Sequence, residues 1–222
     1  MRRKESRQFY ISVEGINCEK LYFEHLMRLI NNSDRSTYNL KVAPRKMNPM
    51  EYAKRNAYKP VDQRNKKSLP YIHVQDIEDY YDEEQRKKFF GLLDEMRNAE
   101  KTFGITYQLG YSNYTFELWM LLHVTDMEYA VQDRYAYLKP INKCFKLRLR
   151  NLDEFKSEKV FLEILDKYVT LDSVFQAIAR AEKIVQQRKT AENYKGFSFC
   201  RDNPDISVHE VVKLIFEVCK VK

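Results

Sequence analysis

Four acidic residues follow two predicted β-strands and could together bind a metal ion. The predicted strands are the apolar segments 9–13 and 71–74. The acids that follow them are Glu14, Asp76, Glu78 and Asp79. If the strands are neighbours in a parallel sheet, the acids converge at its carboxyl edge, and two carboxylates about 4 Å apart repel by roughly 4 kcal/mol at an effective dielectric near 20. A hard divalent ion, Mg²⁺ or Mn²⁺, removes that repulsion, so the pattern predicts a metal site.

The positions of these acids also admit a purely structural interpretation. Asp and Glu are frequent after strands as turn formers and helix caps, which would explain the run 76–84 taken alone. Glu14 is harder to explain in this way, because it ends an apolar strand and precedes Gly15, which would let the backbone approach a ligand closely. In extended chain Asp76 and Glu78 face the same side, so both could reach one ion or an ion pair.

A further acid, Glu117, lies in the mostly apolar segment 113–123, which is predicted to be a helix. A buried lone carboxylate needs a partner, a metal or a proton. Asn113 lies four residues earlier on the same side of the helix. His123 lies six residues later, about a third of a turn away, and is equally well explained as a hydrogen-bonded core histidine. Glu117 is therefore a candidate supporting acid, with Asn113 and His123 as candidate supporting residues.

Strands that alternate with helices in the first half predict a mostly parallel α/β sheet flanked by helices. The second half shows helical spacing, so we predict an α/β domain over 1–125 and a helical region packed on it over 126–222. Asn17 is predicted to cap the first helix, and Ser207 with Glu210 to form a capping box for the last one. The predicted strands are 9–13, 38–43, 71–74 and 103–109, and the predicted helices after the first are 49–57, 82–99, 113–123, 157–168, 171–189 and 207–218.

The charge balance favours an anionic partner. The 222 residues include 39 Lys and Arg against 32 Asp and Glu, a net charge of +7, and nucleic acid is the commonest partner of a basic protein. Lys146, Arg148 and Arg150 alternate along a segment that could be extended, and further basic residues lie between the early strands. A solvated basic surface without such a partner is the alternative. The candidates for phosphate contacts are Arg45, Lys46, Arg64, Lys66, Lys67, Lys146, Arg148 and Arg150.

Several classes of protein are excluded or disfavoured. The chain contains no glycine-rich phosphate loop of either common pattern, so any dependence on ATP would come from a partner. The longest apolar run, 118–122, is too short to cross a bilayer, and no apolar signal stretch follows the basic start. We therefore expect a cytoplasmic protein without a membrane partner. The hydrophobic share of 44% is enough for a core at this length.

Four segments resemble the RloB family, whose members carry a Toprim-like domain. Phe-Glu-Leu-Trp is the most specific of their elements, and the resemblance spans almost the whole chain. Two positions depart from the family pattern: Glu78 replaces the second Asp of the acidic motif, and Tyr114 replaces the proline of Ser-Asn-Pro. The matching segments are Val13-Glu14-Gly15 with Cys18-Glu19-Lys20-Leu21-Tyr22-Phe23, Asp76-Ile77-Glu78-Asp79, Ser112 to His123 around Phe116-Glu117-Leu118-Trp119, and Asn203-Pro204-Asp205-Ile206-Ser207-Val208-His209.

The resemblance implies a Mg²⁺- or Mn²⁺-dependent nuclease that acts on DNA or RNA in defence against phage, by abortive infection. Glu14, Asp76 and Glu78 would hold the metal with Asp79 nearby, Glu14 could act as general base, and Glu117 would assist. Gly15 and Glu19 belong to the same motif as supporting residues. An AAA-type ATPase would be a partner. Two alternatives stay open: a metal-binding module that senses nucleic acid without cleaving it, and a subunit held to its ATPase by a hydrophobic face. A homo-oligomer is also left open.

Overall fold

The computed structural model describes residues 4–56, 69–188 and 190–222, and these form a mixed α/β structure. The strands are β1 Ser6–Gln8, β2 Ile11–Val13, β3 Asn39–Lys41, β4 Arg45–Lys46, β5 Tyr71–Asp76, β6 Tyr107–Asn113, β7 Ala191–Tyr194, β8 Phe197–Cys200 and β9 Asp205–Ile206. The helices are α1 Cys18–Asn31, α2 Pro49–Asn56, α3 Glu83–Phe103, α4 Glu117–Leu122, α5 Leu138–Cys144, α6 Leu152–Lys156, α7 Glu158–Tyr168, α8 Leu171–Gln186 and α9 Val208–Cys219, with a 3₁₀ helix at Arg134–Tyr137 before α5.

The main sheet has five strands in the order β4-β2-β5-β6-β9. The first four are parallel, and β9 is antiparallel to β6. The predicted mostly parallel sheet is thus confirmed. Strands β2 and β5 are neighbours, with Val13 opposite Val74, so the two acid-bearing strand ends lie side by side.

Apolar side chains cover both faces of this sheet, as a parallel sheet requires. On one face, residues such as Ile11 and Val74 join a core with α1, α4 and the helices of the second half. On the other face, Tyr71, Tyr107 and Tyr111 pack with α2, α3 and the β7–β8 hairpin. Alternation along β5 therefore sends Ile72, Val74 and Asp76 to the face that carries α1.

The second half is helical as far as Gln186 but also contributes the β7–β8 hairpin and β9. Because β9 joins the main sheet, part of the second half is integral to it, and the domain boundary at 125 stays a prediction. A buried ion pair anchors this strand: Asp205 accepts hydrogen bonds from Arg188 Nε at 2.7 Å and from the hydroxyl of Tyr111. Arg188 also reaches that hydroxyl and the carbonyl of Ile206, at 3.1 and 3.3 Å.

The predicted bounds of three consecutive elements are wrong. The strand predicted at 103–109 lies at Tyr107–Asn113, because α3 continues beyond the predicted end at residue 99 and stops at Gly104, whose φ of 62° is the left-handed conformation typical of a helix C-terminus. The following helix, predicted from 113, accordingly begins at Glu117.

Both predicted caps are wrong in their hydrogen bonds, although the helices begin at the expected places. The hydroxyl of Ser207 donates to the carbonyl of Leu109 and accepts from the N–H of Tyr111, at 3.0 and 2.9 Å. It therefore completes the edge of β6 instead of capping α9. Asn17 precedes α1 but makes no side-chain cap: its backbone, at φ −110° and ψ −67°, is already helical and lacks the extended conformation typical of a capping residue.

The described segment 145–150 is irregular and forms no strand. Burial and exposure nevertheless alternate along this segment: Leu147 and Leu149 pack against the core, while Lys146, Arg148 and Arg150 are exposed. Among the residues that the structure describes, no helix is both long and apolar enough to span a bilayer.

Candidate active site

The carboxylate of Glu14 lies against the end of the neighbouring strand. Its Oε2 accepts a hydrogen bond from the side-chain amide of Gln75 at 2.6 Å and one from the backbone N–H of Asp76 at 3.2 Å. The backbone of Glu14 continues the pairing, since its N–H donates to the carbonyl of Val74 at 3.0 Å. The structure thus brings together the two strand ends from which the sequence predicted a site.

A chain of hydrogen bonds reaches Glu14 from inside the sheet. Ser12 Oγ lies 2.8 Å from His73 Nδ1, and His73 Nε2 lies 3.4 Å from Oε1 of Gln75, which holds Glu14. Burial lowers the pKa of His73 to about 4, so the imidazole is neutral. With the proton on Nε2, His73 donates to Gln75, and the Gln75 amide is then oriented to donate to Glu14.

Asp76 points to the opposite face of the sheet and is nine-tenths buried, with 9% of its surface exposed. Burial raises its pKa, and the charges of three other acids, Glu19, Glu14 and Glu117, raise it further. These four residues, Glu14, Glu19, Asp76 and Glu117, are called the carboxylate cluster below. Electrostatic repulsion of this kind among acids from three distant segments is a common property of functional sites.

Glu19, from the first turn of α1, is a central member of the carboxylate cluster. It is buried, and burial together with the charges of Glu14 and Glu117 raises its pKa to about 7. A Cβ atom at residue 15 would lie 2.0 Å from Glu19 Oε2, so any other residue there would displace the Glu19 carboxylate. Gly15 thus admits a carboxylate of the same chain, where the sequence suggested approach to a ligand.

Glu117 begins α4 and is 1% exposed. Neither of its oxygens has a well-formed hydrogen bond among the described residues. Its ion-pair partner among the described residues is Lys156, whose Nζ lies 3.2 Å from Oε1. Glu117 and Asp76 raise the pKa of Lys156 against the opposing effect of burial, so the ammonium is charged.

Lys156 is held in place by the loop that follows β2. The side-chain amide of Asn17 donates to the carbonyl of Lys156 at 3.1 Å. Helix α6 therefore brings a cation from the second half of the chain to the carboxylate cluster.

The remaining predicted acids are placed differently. Glu78 forms an ion pair with Arg134 at 3.0 Å; burial raises the pKa of Glu78, and Arg134 opposes this. Asp79 is exposed, and its Oδ1 accepts from the N–H of Tyr81 at 3.0 Å, as in a turn. Glu78 thus has Arg134 as a partner in place of a metal ion. Asp79 has a structural role, since it stabilises a turn.

Asn113 and His123 are occupied with contacts in the protein interior. The Asn113 amide donates to the carbonyls of Cys200 and Arg201, at 3.3 and 2.9 Å. The nitrogens of His123 face the carbonyl of Trp119 at 2.9 Å and the hydroxyl of Tyr22 at 3.3 Å. Burial lowers the pKa of His123 to about 4, so it is a neutral core histidine.

The predicted phosphate-contacting residues that the structure describes lie at two places. Arg45 and Lys46 form β4, at the edge of the sheet, and Lys46 is in register with Val13, next to Glu14. Lys146 and Arg148 lie on the exposed side of segment 145–150. Arg64, Lys66 and Lys67 lie outside the described residues.

The fit of a metal ion can be judged from the donors. The carboxylate oxygens suit Mg²⁺ or Mn²⁺, and the buried oxygens of Glu117 lack hydrogen-bond donors. In the described part of the chain, however, no three or more Asp, Glu, His or Cys side chains converge in an arrangement that would hold an ion. The donors fit in kind, and their side chains would have to reorient to surround an ion.

Sequence reasoning missed the two cations at the site, Lys156 and Arg134, and the relay through His73. A neutral polar residue inside the apolar run Tyr71-Ile72-His73-Val74 was a usable signal for the relay. Nothing distinguished Lys156 or Arg134 from the other 37 basic residues, since 39 are spread along the chain.

A family model described as RloB-like protein matches residues 9–215, which is most of the chain and includes every member of the carboxylate cluster and Lys156. The comparison with curated proteins finds no match. The comparison with solved structures finds none either.

Proposed function

The chain belongs to the RloB-like family, and from that premise we propose that it is a divalent-metal-dependent nuclease with a Toprim-like sheet that serves in defence against phage. The observation that carries the proposal is the contact between two strand ends: Glu14 bonds the backbone N–H of Asp76, and both belong to the carboxylate cluster. Four acids at the carboxyl edge of a parallel sheet are where a ligand of this fold class would bind.

Glu14 and Asp76 are the residues we assign to the metal, Mg²⁺ or Mn²⁺. Both hydrogen bonds to Glu14 end on Oε2, so Oε1 is the oxygen assigned to the ion or to a water. When bound, the ion would lower the pKa of a coordinated water and neutralise charge on a phosphodiester. Glu78 would join only if its pair with Arg134 opened.

The chain's own residues have separate roles in this proposal. The amide of Gln75, oriented by His73, fixes the Glu14 carboxylate as an acceptor, and a carboxylate fixed in this way can act as general base. Arg45 and Lys46, exposed beside β2, would contact phosphates. Arg134 holds Glu78 in place at the rim of the site.

The direct test is metal-dependent cleavage of single- and double-stranded DNA and RNA by the purified protein. Glu14→Gln should lower the rate by at least about 100-fold, since a general base contributes that much, while Glu163→Gln, at an exposed position of α7, should match the wild type. Equal rates for the wild type and Glu14→Gln would refute the mechanism.

Inertness with both ions, together with salt-sensitive binding of nucleic acid, would favour the alternative of a non-catalytic sensing subunit. Co-purification with an AAA-type ATPase would then identify its partner. These outcomes can be told apart from those expected of a nuclease, in which the wild type cleaves nucleic acid and Glu14→Gln does not.

A further inference from the structure

One segment of the second half carries positive charge without acids of its own to balance it. Residues 134–152 contain no Asp or Glu. Two cations of this segment, Arg134 and Arg150, pair with acids outside it, Glu78 and Glu154. The other cations are exposed and have no ion-pair partner among the residues that the structure describes. These are Lys139, Lys143, Lys146 and Arg148, called the basic track below.

Helix α3 shows how surface lysines are balanced elsewhere in this protein. Lys87 and Lys88 each pair with a glutamate four residues earlier, at 2.6 and 2.8 Å. Helix α5 instead carries lysines at both 139 and 143, and like charges four residues apart destabilise a helix. A polyanion bound along α5 would remove this repulsion and gain from the positive field.

The same side of the helical segment also presents an aromatic ring. Tyr135, Lys139 and Lys143 follow one another in steps of four residues, which places them on one side. All three are exposed. Tyr137 and Ile141, which are also four residues apart, are buried on the other side, at 1% and 0% exposed. The 3₁₀ helix and α5 therefore display one tyrosine and two lysines to solvent in a single row.

Tyr135 lies at the rim of the candidate site. Its neighbour Arg134 pairs with Glu78 at 3.0 Å, and the Arg134 guanidinium lies 5.2 Å from the centre of the Tyr135 ring. Tyr135 is nevertheless 64% exposed, so much of the ring is free to contact a ligand. Exposed aromatic rings stack on the bases of single-stranded nucleic acid, whereas the bases of a duplex are already stacked on one another.

Hydrogen bonds hold the two parts of the basic track together. The side chain of Asn142, in α5, donates to the carbonyl of Leu149 at 2.9 Å and accepts from the N–H of Leu149 at 2.7 Å. Segment 145–150 is thereby folded back onto α5, and its cations stay beside the end of that helix. Since the backbone is already fixed, binding a phosphate chain requires little ordering of the protein.

Other polyanionic partners fit this surface less well. A helix that binds a membrane surface needs exposed apolar residues beside its cations, but Ile141 of α5 is buried in the core. An acidic protein segment would match the cations, yet it supplies no nucleobase for the exposed ring of Tyr135. The combination of unpaired cations and an exposed aromatic ring is typical of surfaces that bind single strands.

We propose that the basic track and Tyr135 bind single-stranded nucleic acid, with the cations on its phosphates and the Tyr135 ring stacked on a base beside the candidate site. The inference deepens the proposed function, because it names the form of nucleic acid that reaches the site. The binding itself requires neither a metal ion nor cleavage.

The test is equilibrium binding of fluorescent oligonucleotides to the full-length protein, measured by anisotropy in EDTA. The probes are a single strand as DNA and as RNA, a duplex of the same length, and an abasic single strand, which keeps the phosphates and lacks the bases. The wild type should bind the single strand more tightly than the duplex. It should prefer the single strand to the abasic strand by at least about fivefold, since stacking on one aromatic ring contributes that much or more.

Tyr135→Ala should lower the affinity for the single strand by the same factor and leave the affinities for the abasic strand and the duplex unchanged. Tyr135→Phe keeps the ring and should match the wild type within about twofold, because stacking does not need the hydroxyl. Tyr135 is exposed, so neither substitution disturbs the core.

The double variant Lys139→Gln with Lys143→Gln should bind every probe more weakly. For the single strand, the slope of log Kobs against log salt should become shallower by about 1.4, since each phosphate contact contributes about 0.7. Lys87→Gln with Lys88→Gln removes two exposed lysines of α3 and is the matched control. Its slope should equal that of the wild type.

Equal affinities of the wild type for the ordinary and the abasic strand would overturn the inference. So would tighter binding of the duplex, an unchanged salt slope in the variant of Lys139 and Lys143, or no binding of any probe. The measurement is independent of cleavage. A protein that binds single strands in this way but cuts nothing would refute the nuclease proposal and leave this inference standing.

Discussion

Two buried carboxylates of this protein, Asp205 and Glu117, are compensated in opposite ways. Asp205 is 0% exposed, and both of its oxygens are bonded, one to Arg188 and the other to Tyr111. Glu117 is 1% exposed, and its compensation is one lysine at 3.2 Å without well-formed hydrogen bonds. The pair of Glu117 and Lys156 joins the two halves of the chain, whereas Asp205 and Arg188 both lie in the second half and are tied to the first by the hydroxyl of Tyr111.

The difference separates a structural ion pair from a functional one. A buried charge whose oxygens are satisfied anchors its surroundings, here β9 against β6. A buried carboxylate without hydrogen bonds costs about 1–3 kcal/mol or more, and a site that binds charge is the usual reason for retaining such a cost. We therefore assign Asp205 to the fold and Glu117 to the site, and three measurements can break or sharpen this assignment.

The largest effect is expected at Asp205. Asp205→Asn leaves Arg188, 20% exposed at its side chain, without its counter-charge, and breaking a buried pair in this way costs about 3–5 kcal/mol. Urea unfolding should show a loss of about that size. Asp172→Asn breaks the exposed pair with Arg35 and should cost less than about 1 kcal/mol. Equal losses in the two variants would remove the structural role of Asp205.

A smaller effect should appear in the pH dependence of stability through Glu19. Its pKa is raised from 4.5 to about 7 in the folded protein, so between these values the native state holds a proton that the unfolded state releases. The unfolded state then binds fewer protons, and the free energy of unfolding falls as pH rises from 4.5 to 7.

Glu19→Gln should lack this fall and so gain stability relative to the wild type, by on the order of 2 kcal/mol at pH 7 compared with pH 4.5. Urea unfolding of both proteins across this range measures the difference. Buried histidines such as His73 titrate nearby with the opposite sign, and subtraction of the two curves cancels them. A constant difference across the range would mean that the pKa of Glu19 is not raised in the folded protein.

The smallest effect is expected at Glu117. Glu117→Gln removes a desolvated charge, while Lys156 at 36% exposed can be hydrated. The free energy of unfolding should stay within about 1 kcal/mol of the wild type or rise, and the urea midpoint measures it. If Glu117→Gln lowered the free energy of unfolding as much as Asp205→Asn does, the two pairs would have the same structural role. The assignment of Glu117 to the site would then be wrong.

Sequence patterns predicted the parts of the fold that depend on local periodicity. The helices α7, α8 and α9 and the strands β2 and β5 lie close to the predicted positions, because their apolar residues recur at regular spacing. Strands β4 and β9 have only two residues each and are defined by pairing with distant segments, so no local pattern indicates them. No local pattern indicates the role of Ser207 either, because its hydroxyl forms hydrogen bonds with the backbone of β6 and not with its own helix, α9.

The candidate site follows the same division. The ends of β2 and β5 could be found because parallel neighbours end at one edge, and Glu117 because it lies in an apolar helix. Lys156 and Arg134 could not be found, because each meets its acid only through tertiary packing: 39 residues separate Glu117 from Lys156, and 56 separate Glu78 from Arg134. Which acids bind a metal stays a prediction.

The late position of β9 in the chain has a consequence for biosynthesis. Until residues 205–206 have been translated, β6 is an unprotected strand edge, and such an edge is a template for pairing with other chains. A polypeptide terminated before Asp205 should therefore self-associate and be cleared by cellular quality control.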